Sequence, residues 1–362
     1  MPGQIGLTST PLQSVRNSNS RLFHAPASTQ TPQNHATLCT PQQFNRTSKA
    51  VVPLKRRAFI GSLAAFALPL SAQSVPLRLR QLAPHIYVLD AHNAEPNADN
   101  GGLVVNTGII AGPHGVLVVD PGAHASAGRA LAKTVESELK MPIVGVVNTH
   151  AHPEHVLGNA AFAHLPIYAS AQTRQLMQQR CQMCLRALTR LVGAQAMRQT
   201  RIVLPNRTLA SGDSVAIARQ RFAVKVFAHA HSHGDLALFE PRSGVLFGGG
   251  LAYRERIPEM QEASVYGWLD ALRQFKEWPV RQFVGAGVGT VEQTMDTTHQ
   301  YLAKLASTVV DQIKRGGDVN SIATEFTGPW QQWSGYAKRH PLNVQRVWQE
   351  LETLWWNGQL PP

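Results

Sequence analysis

The chain has 362 residues, 43% hydrophobic and 15% charged, which supports one large domain or two small ones and excludes a chain too polar to build a core. The formal net charge is +12, but residues 1–72 hold seven Lys or Arg and no Asp or Glu. The remainder carries 27 basic against 22 acidic residues, so no nucleic-acid partner is expected of the mature chain.

Residues 1–54 are rich in Ser, Thr, Gln, Asn and Pro without an apolar period, and read as a disordered or over-called leader. Residues 55–74 read as a signal peptide. Lys55-Arg56-Arg57 precedes about a dozen apolar residues and the small-residue end Ser71-Ala72. Arg56-Arg57-Ala58-Phe59-Ile60 resembles a twin-arginine signal, which implies export to the periplasm. The apolar run falls short of the roughly 20 residues of a membrane span, so no stable span is expected after cleavage.

After the leader, 85–90, 101–106 and the hairpin 108–120 read as strands, followed by a helix over 125–139. Ile143-Val144-Gly145-Val146-Val147 is a buried strand, 165–170 another, and 171–197 is helical. A second strand-rich block spans 202–247, then come a helix over 264–277 and a last strand at 282–284. From Thr294 onward the pattern is helical, with breaks at Gly316-Gly317, Gly328-Pro329 and His340-Pro341. Trp348, Trp355 and Trp356 are expected to pack on the main domain. Cys181-Gln182-Met183-Cys184 fits a disulfide, free thiols or a metal or redox pair.

The chemistry concentrates in Asn148-Thr149-His150-Ala151-His152-Pro153-Glu154-His155, directly after a strand. Three imidazoles and a carboxylate within six positions are too costly to bury as packing. A second cluster, His229-Ala230-His231-Ser232-His233, also follows a strand. Two strand ends that present histidines to one sheet edge can converge on an ion. Three histidines with an open position suit a catalytic Zn2+ and a hydroxide made from its water.

These segments resemble the metallo-β-lactamase fold superfamily over about residues 80–295. Val118-Val119-Asp120-Pro121-Gly122 matches the strand whose Asp orients the ligand loop. Residues 149–155 match H-x-H-x-D-H, residues 230–236 match G-H-[ST]-x-G-[DS], and residues 245–250 match V-L-F-x-G-D. The resemblance implies an α+β fold, a four-layer αββα sandwich over 76–295, with a helical C-terminal extension over 296–362. It implies His150, His152 and His231 as ligands of a first zinc. It also shows what is missing: the motif Asp is Glu154, the bridging Asp falls on Gly250, and the last His falls at Gly287. One zinc is therefore expected, with His155 and Glu154 left of the second site. His229 and His233 either compensate as ligands or are exposed loop histidines.

Glu154 is the candidate general base, His155 a second ligand or an oxyanion donor, and Asp120 the group that holds the ligand loop. Gly158, Gly248, Gly249 and Gly250 are expected to allow close backbone approach. The leading expectation is a periplasmic zinc hydrolase of a small ester, thioester, lactone or amide. The alternative is a non-hydrolytic zinc-binding accessory protein. A nucleic-acid-processing member of the fold or a β-lactamase fits less well. The leader and helical tail resemble the quinoprotein relay system zinc metallohydrolases, which implies quinoprotein or cytochrome partners.

Overall fold

The computed structural model describes residues 77–360 apart from 213, 218 and 219, and these belong to one compact unit, Ala72–Pro362. The leader, the signal segment and Cys39 lie outside the described residues.

One sheet begins as an antiparallel meander, β1 (Arg80–Ala83), β2 (Ile86–Leu89), β3 (Thr107–Gly112) and β4 (Gly115–Val119). Helix α1 (Ala125–Leu139) then crosses to β5 (Ile143–Val147), which pairs parallel with β4. The short α2 (Pro153–Val156) precedes β6 (Ile167–Ala169). Helix α3 (Ala171–Val192) leads to β7 (Arg207–Thr208), and both strands continue the parallel part. In the second sheet β8 (Ser214–Ile217), β9 (Gln220–His229), β10 (His233–Glu240) and β11 (Val245–Gly249) run antiparallel. Helix α4 (Val265–Gln274) separates β11 from its parallel neighbour β12 (Gln282–Gly285), and β13 (Val288–Thr290) closes that edge. Helices α5 (Thr297–Lys314), α6 (Val319–Glu325) and α7 (Tyr336–Trp356) complete the fold.

Strand alternation builds the layers. Ile110, Leu117 and Val119 face inward onto Phe222, Leu236, Leu238 and Phe247 of the other sheet, forming the central core. Their neighbours Ile109, Val116 and Val118 face outward onto Leu131 and Val135 of α1. Ala237 and Phe239 likewise face outward, onto a core shared with Trp268 of α4, Leu302 and Leu305 of α5, and Val347 and Leu351 of α7. The arrangement is the expected αββα sandwich. The helices after Asp296 share the outer core of the second sheet rather than forming a separate body.

Helix α1 has the expected bounds, and both ends are fixed locally. The His124 ring accepts from Ala127 N at the start, and Lys140 turns left-handed (φ 54°) at the end. Four expectations need correction. Residues 101–106 form turns rather than a strand, because Gly101 and Gly102 take positive φ. The last strand is followed by another, β13. Pro341 does not break α7, which is held by burial on both sides of it, at His340 before and at Asn343, Val344, Val347 and Leu351 after. Trp348 packs as expected, but Trp355 and Trp356 stand 40% and 78% exposed.

Candidate metal centre

The site lies where β4, β5 and β11 end and β9 turns into β10. There the rings of His150, His152 and His231 form a near-equilateral triangle, with centroids 4.7, 4.9 and 4.9 Å apart. Their ligand atoms lie within 4.8 Å of one another, and His152 Nδ1 is 3.2 Å from His231 Nε2.

The tautomers follow from the hydrogen bonds. Thr149 Oγ1 donates to Asp120 Oδ2 at 2.7 Å, so its oxygen accepts from His150 Nδ1 at 2.9 Å. His150 Nε2 is then left with a lone pair, fully buried and without a partner. A buried acceptor with nothing to accept is costly, and a cation at the centre of the triangle satisfies it. Burial, reinforced by the neighbouring imidazoles, holds His150 and His231 well below the ordinary histidine range. Neutral imidazole is the ligand form, so the donor set fits a divalent ion such as Zn2+. Burial also lowers His152, but Glu154, Glu259, Glu262 and Asp235 outweigh it and the net shift is upward.

Asp120 is the organising residue behind the ligands. Its backbone is left-handed (φ 56°), a conformation Asp tolerates better than most residues. Its carboxylate accepts from Thr149 N at 2.8 Å, from Thr149 Oγ1, and from His155 Nδ1 at 2.8 Å. Asp120 is thus spent on holding the ligand loop. It also forms a second donor group with His150 and His155. With Nδ1 committed to Asp120, Nε2 is the ring atom that His155 has left to offer to the site.

Glu154, in the first turn of α2, is half-buried and falls in neither donor group. It lines a cavity of ≈ 20 Å³ with His152, His155 and Arg256, room for about one water. His229 and His233 are not brought to the ligand triangle. They are cross-strand partners flanking the turn, stacked at 3.8 Å, and only His231 at the tip reaches the other ligands. The expectation that alternate residues share a face fails because the chain reverses between them. His229 Nε2 instead lies 2.7 Å from the Glu262 carbonyl.

The glycines in place of second-site ligands are packed. A Cβ on Gly250 would lie 2.2 Å from His231 Cδ2 and 2.4 Å from its Nε2. A Cβ on Gly287 would meet the backbone of Tyr253 and Arg254 at 2.7 Å. A Cβ on Gly158 would lie 2.3 Å from the Pro121 carbonyl oxygen, so the glycine lets the ligand loop pack against the Asp120 turn.

Four supporting residues carried no role in the sequence reading. Asp235 accepts from Ser232 N at 2.8 Å and Ser232 Oγ at 2.7 Å, shaping the turn that carries His231. Burial pushes its carboxyl up to about 7 despite those bonds. The Ser-x-x-Asp spacing is the local signal for this turn. Thr149 links Asp120 to His150 through its hydroxyl. Trp268 packs edge-on to His231 at 5.0 Å, and Glu262 approaches His152 Nε2 at 4.0 Å. Neither of these has any signal within its own stretch. Cys181 and Cys184 are free thiols on α3, and burial pushes Cys181 up to about 12, an unreactive state.

Residues 100–171, which include Asp120, His150, His152 and His155, match the Metallo-beta-lactamase superfamily. The chain is 28% identical over 166 residues to the hydroxyacylglutathione hydrolase of Thermosynechococcus vestitus, covering 45% of this chain and 54% of that protein. It is 31% identical over 146 residues to the hydroxyacylglutathione hydrolase of Synechococcus sp., covering 39% and 48%. The chain therefore spans about half the length of the curated relatives it matches. Among solved structures, a metallo-beta-lactamase from Pontibacter korlensis superposes with a TM-score of 0.50 at 16% identity, over 63% of this chain and 99% of that one. Matching segment, two-sheet sandwich and converging histidines agree: the chain carries a metallo-β-lactamase superfamily domain.

Proposed function

We propose that this protein is a metal-dependent hydrolase of a small carbonyl compound, with one Zn2+ held by His150, His152 and His231. The observation that carries this reading is the buried, unpartnered His150 Nε2 within the histidine triangle. An ion held by three imidazoles supplies Lewis-acid polarisation of a carbonyl and a lowered pKa for water at its open position. Asp120 fixes the tautomers of His150, through Thr149, and of His155. Glu154 is placed to take a proton from a water in the small cavity it shares with His152 and His155. The hydroxyacylglutathione hydrolases, by their name, hydrolyse an acyl-glutathione, and this favours an ester or thioester over an amide.

Export to the periplasm by Arg56-Arg57 is part of the same proposal. A place beside quinoprotein or cytochrome components rests only on that leader and the helical tail. Among the described residues, no helix is long and apolar enough to cross a membrane.

Elemental analysis of the purified protein should give one equivalent of zinc. Ester or thioester hydrolysis should vanish on chelation, return with zinc, and be absent in His150→Ala. Turnover that survives complete metal removal would overturn the proposal. Stoichiometric zinc with no turnover across ester, thioester and lactone panels would favour the accessory role instead.

A further inference from the structure

Beside the metal centre runs a cleft of ≈ 650 Å³, ligand-sized, between α1 and the segments on either side of the 90–106 loop. Glu154 lines both this cleft and the small cavity at His152 and His155, so the two are neighbours through one side chain. From Ala127 to Ser137 the cleft follows α1 for ten residues, about 15 Å at the helical rise.

The wall is apolar in effect, although many of its residues are polar. Thr134 Oγ1 donates to the Ala130 carbonyl and Ser137 Oγ to the Thr134 carbonyl. Thr107 Oγ1 donates to the Asp120 carbonyl, Ser126 Oγ is tied to His124 Nδ1, and Asp90 is held by Arg80. These groups are spent on the protein. What else lines the cleft is aliphatic, from Leu77, Leu89 and Leu103 over the buried Val105 and Leu131, with the exposed His92 and Lys133 beside it and the Glu154 carboxylate at the metal end. A long cleft with an aliphatic floor and polar groups at its exposed side and metal end recognises an amphiphile.

We infer that this cleft binds the acyl chain of the substrate, so that the protein acts on esters or thioesters of medium-chain, apolar carboxylic acids. This rests on the hydrolase reading for the head group; the chain-binding site itself does not. In the reaction the bond from the acyl carbon to the leaving oxygen or sulfur breaks. Water supplies hydroxyl to the carbon and a proton to the leaving atom, and the carboxylic acid product keeps its chain in the cleft.

The test is calorimetric titration of the full-length, zinc-loaded protein with decanoate and with acetate, beside an acyl-length series of nitrophenyl esters. Decanoate should bind and acetate should not, and any hydrolysis should favour decanoyl over acetyl esters. Ala130→Trp, which fills the cleft from a half-exposed position of α1, should weaken decanoate by at least about tenfold while leaving zinc content and acetyl hydrolysis unchanged. Decanoate binding without hydrolysis of any ester would sink the hydrolase and keep the site. Hydrolysis with no chain-length preference and no decanoate binding would do the reverse. Decanoate binding unchanged by Ala130→Trp, with the variant folded, would overturn the assignment to this cleft.

Discussion

Gly250 offers the sharpest test, because its replacement by Asp would repair the motif on paper. The distances argue that it breaks the site. A Cβ there would stand 2.2 Å from His231 Cδ2 and 2.4 Å from Nε2, where ordinary contact begins near 3.4 Å. The imidazole would have to retreat by about 1 Å, several times the roughly 0.2 Å tolerance of a metal–ligand bond. His231 has nowhere to go, since Trp268 packs against its edge at 5.0 Å and the ring is 1% exposed. Gly250→Asp and Gly250→Ala should therefore both lose zinc affinity, by about 100-fold, with no second ion gained by the Asp variant. Competition with a chromophoric chelator measures the affinity, elemental analysis the stoichiometry, and circular dichroism the fold. A folded Gly250→Asp protein holding two zinc ions would refute the reasoning outright. So would a Gly250→Ala variant with undiminished affinity.

Three further outcomes are expected. Asp120→Asn puts an amide donor against Thr149 or His155, so it should cost about 1–3 kcal/mol in thermal unfolding and weaken zinc roughly 10–100-fold; equal zinc affinity would remove Asp120 from its organising role. Arg339 on α7 clamps Glu95 and Glu259, the first by a bidentate fork, and is only 11% exposed. Arg339→Ala should lose about 2–3 kcal/mol in urea unfolding and Arg339→Lys about half of that, with zinc content unchanged in both. His340, buried against Tyr301, is lowered by burial to about 4 from an ordinary 6.5. Between those values the unfolded chain holds a proton that the folded one does not, so stability falls as pH drops from about 6.5 to about 4. The full loss is about 3 kcal/mol. Chemical denaturation at pH 7 and pH 5 should show this slope reduced in His340→Gln, and parallel slopes would refute it.

Much of the site was legible because its chemistry is local. His150 and His152 sit on one loop after an apolar strand, and His231 is marked by a second strand end with the same grammar. The sandwich was legible through the motif resemblance, and its strands through continuous apolar runs: Ile109 and Ile110, or Val118 and Val119, are equally apolar because both faces of the sheet are covered. What failed were features decided by partners far along the chain. The glycine pair 101–102 turns a run of apparent strand into a loop. His229 and His233 look like ligands until the β9–β10 register sets them opposite each other. Trp268 and Glu262 reach the site from over 30 residues past His231, a distance no local pattern crosses.

The surroundings of Glu154 explain why a motif written for two ions supports a reading with one. The cavity that Glu154 and His155 face is also lined by Arg256, a guanidinium only 8% exposed, bonded to the Ala94 and Val104 carbonyls and lying over the Tyr253 ring. A fixed cation thus already shares that cavity with Glu154 and Glu259, and ≈ 20 Å³ admits about one water. A second divalent ion would have to enter against that charge, with a longer carboxylate and one imidazole as its ligands. The glycines at 250 and 287 belong to the same arrangement. Each lets a neighbour close in, His231 in one case and the Tyr253–Arg254 backbone in the other, and the latter is the segment that carries Arg256 into the cavity. The absent carboxylate and imidazole and the buried arginine therefore occupy one and the same region beside the histidine triangle. Arg256→Met tests that link: it should raise the protein's affinity for a second equivalent of zinc at Glu154 and His155. Unaltered binding of one ion, with no second equivalent at millimolar zinc, would leave the arginine a purely structural tie.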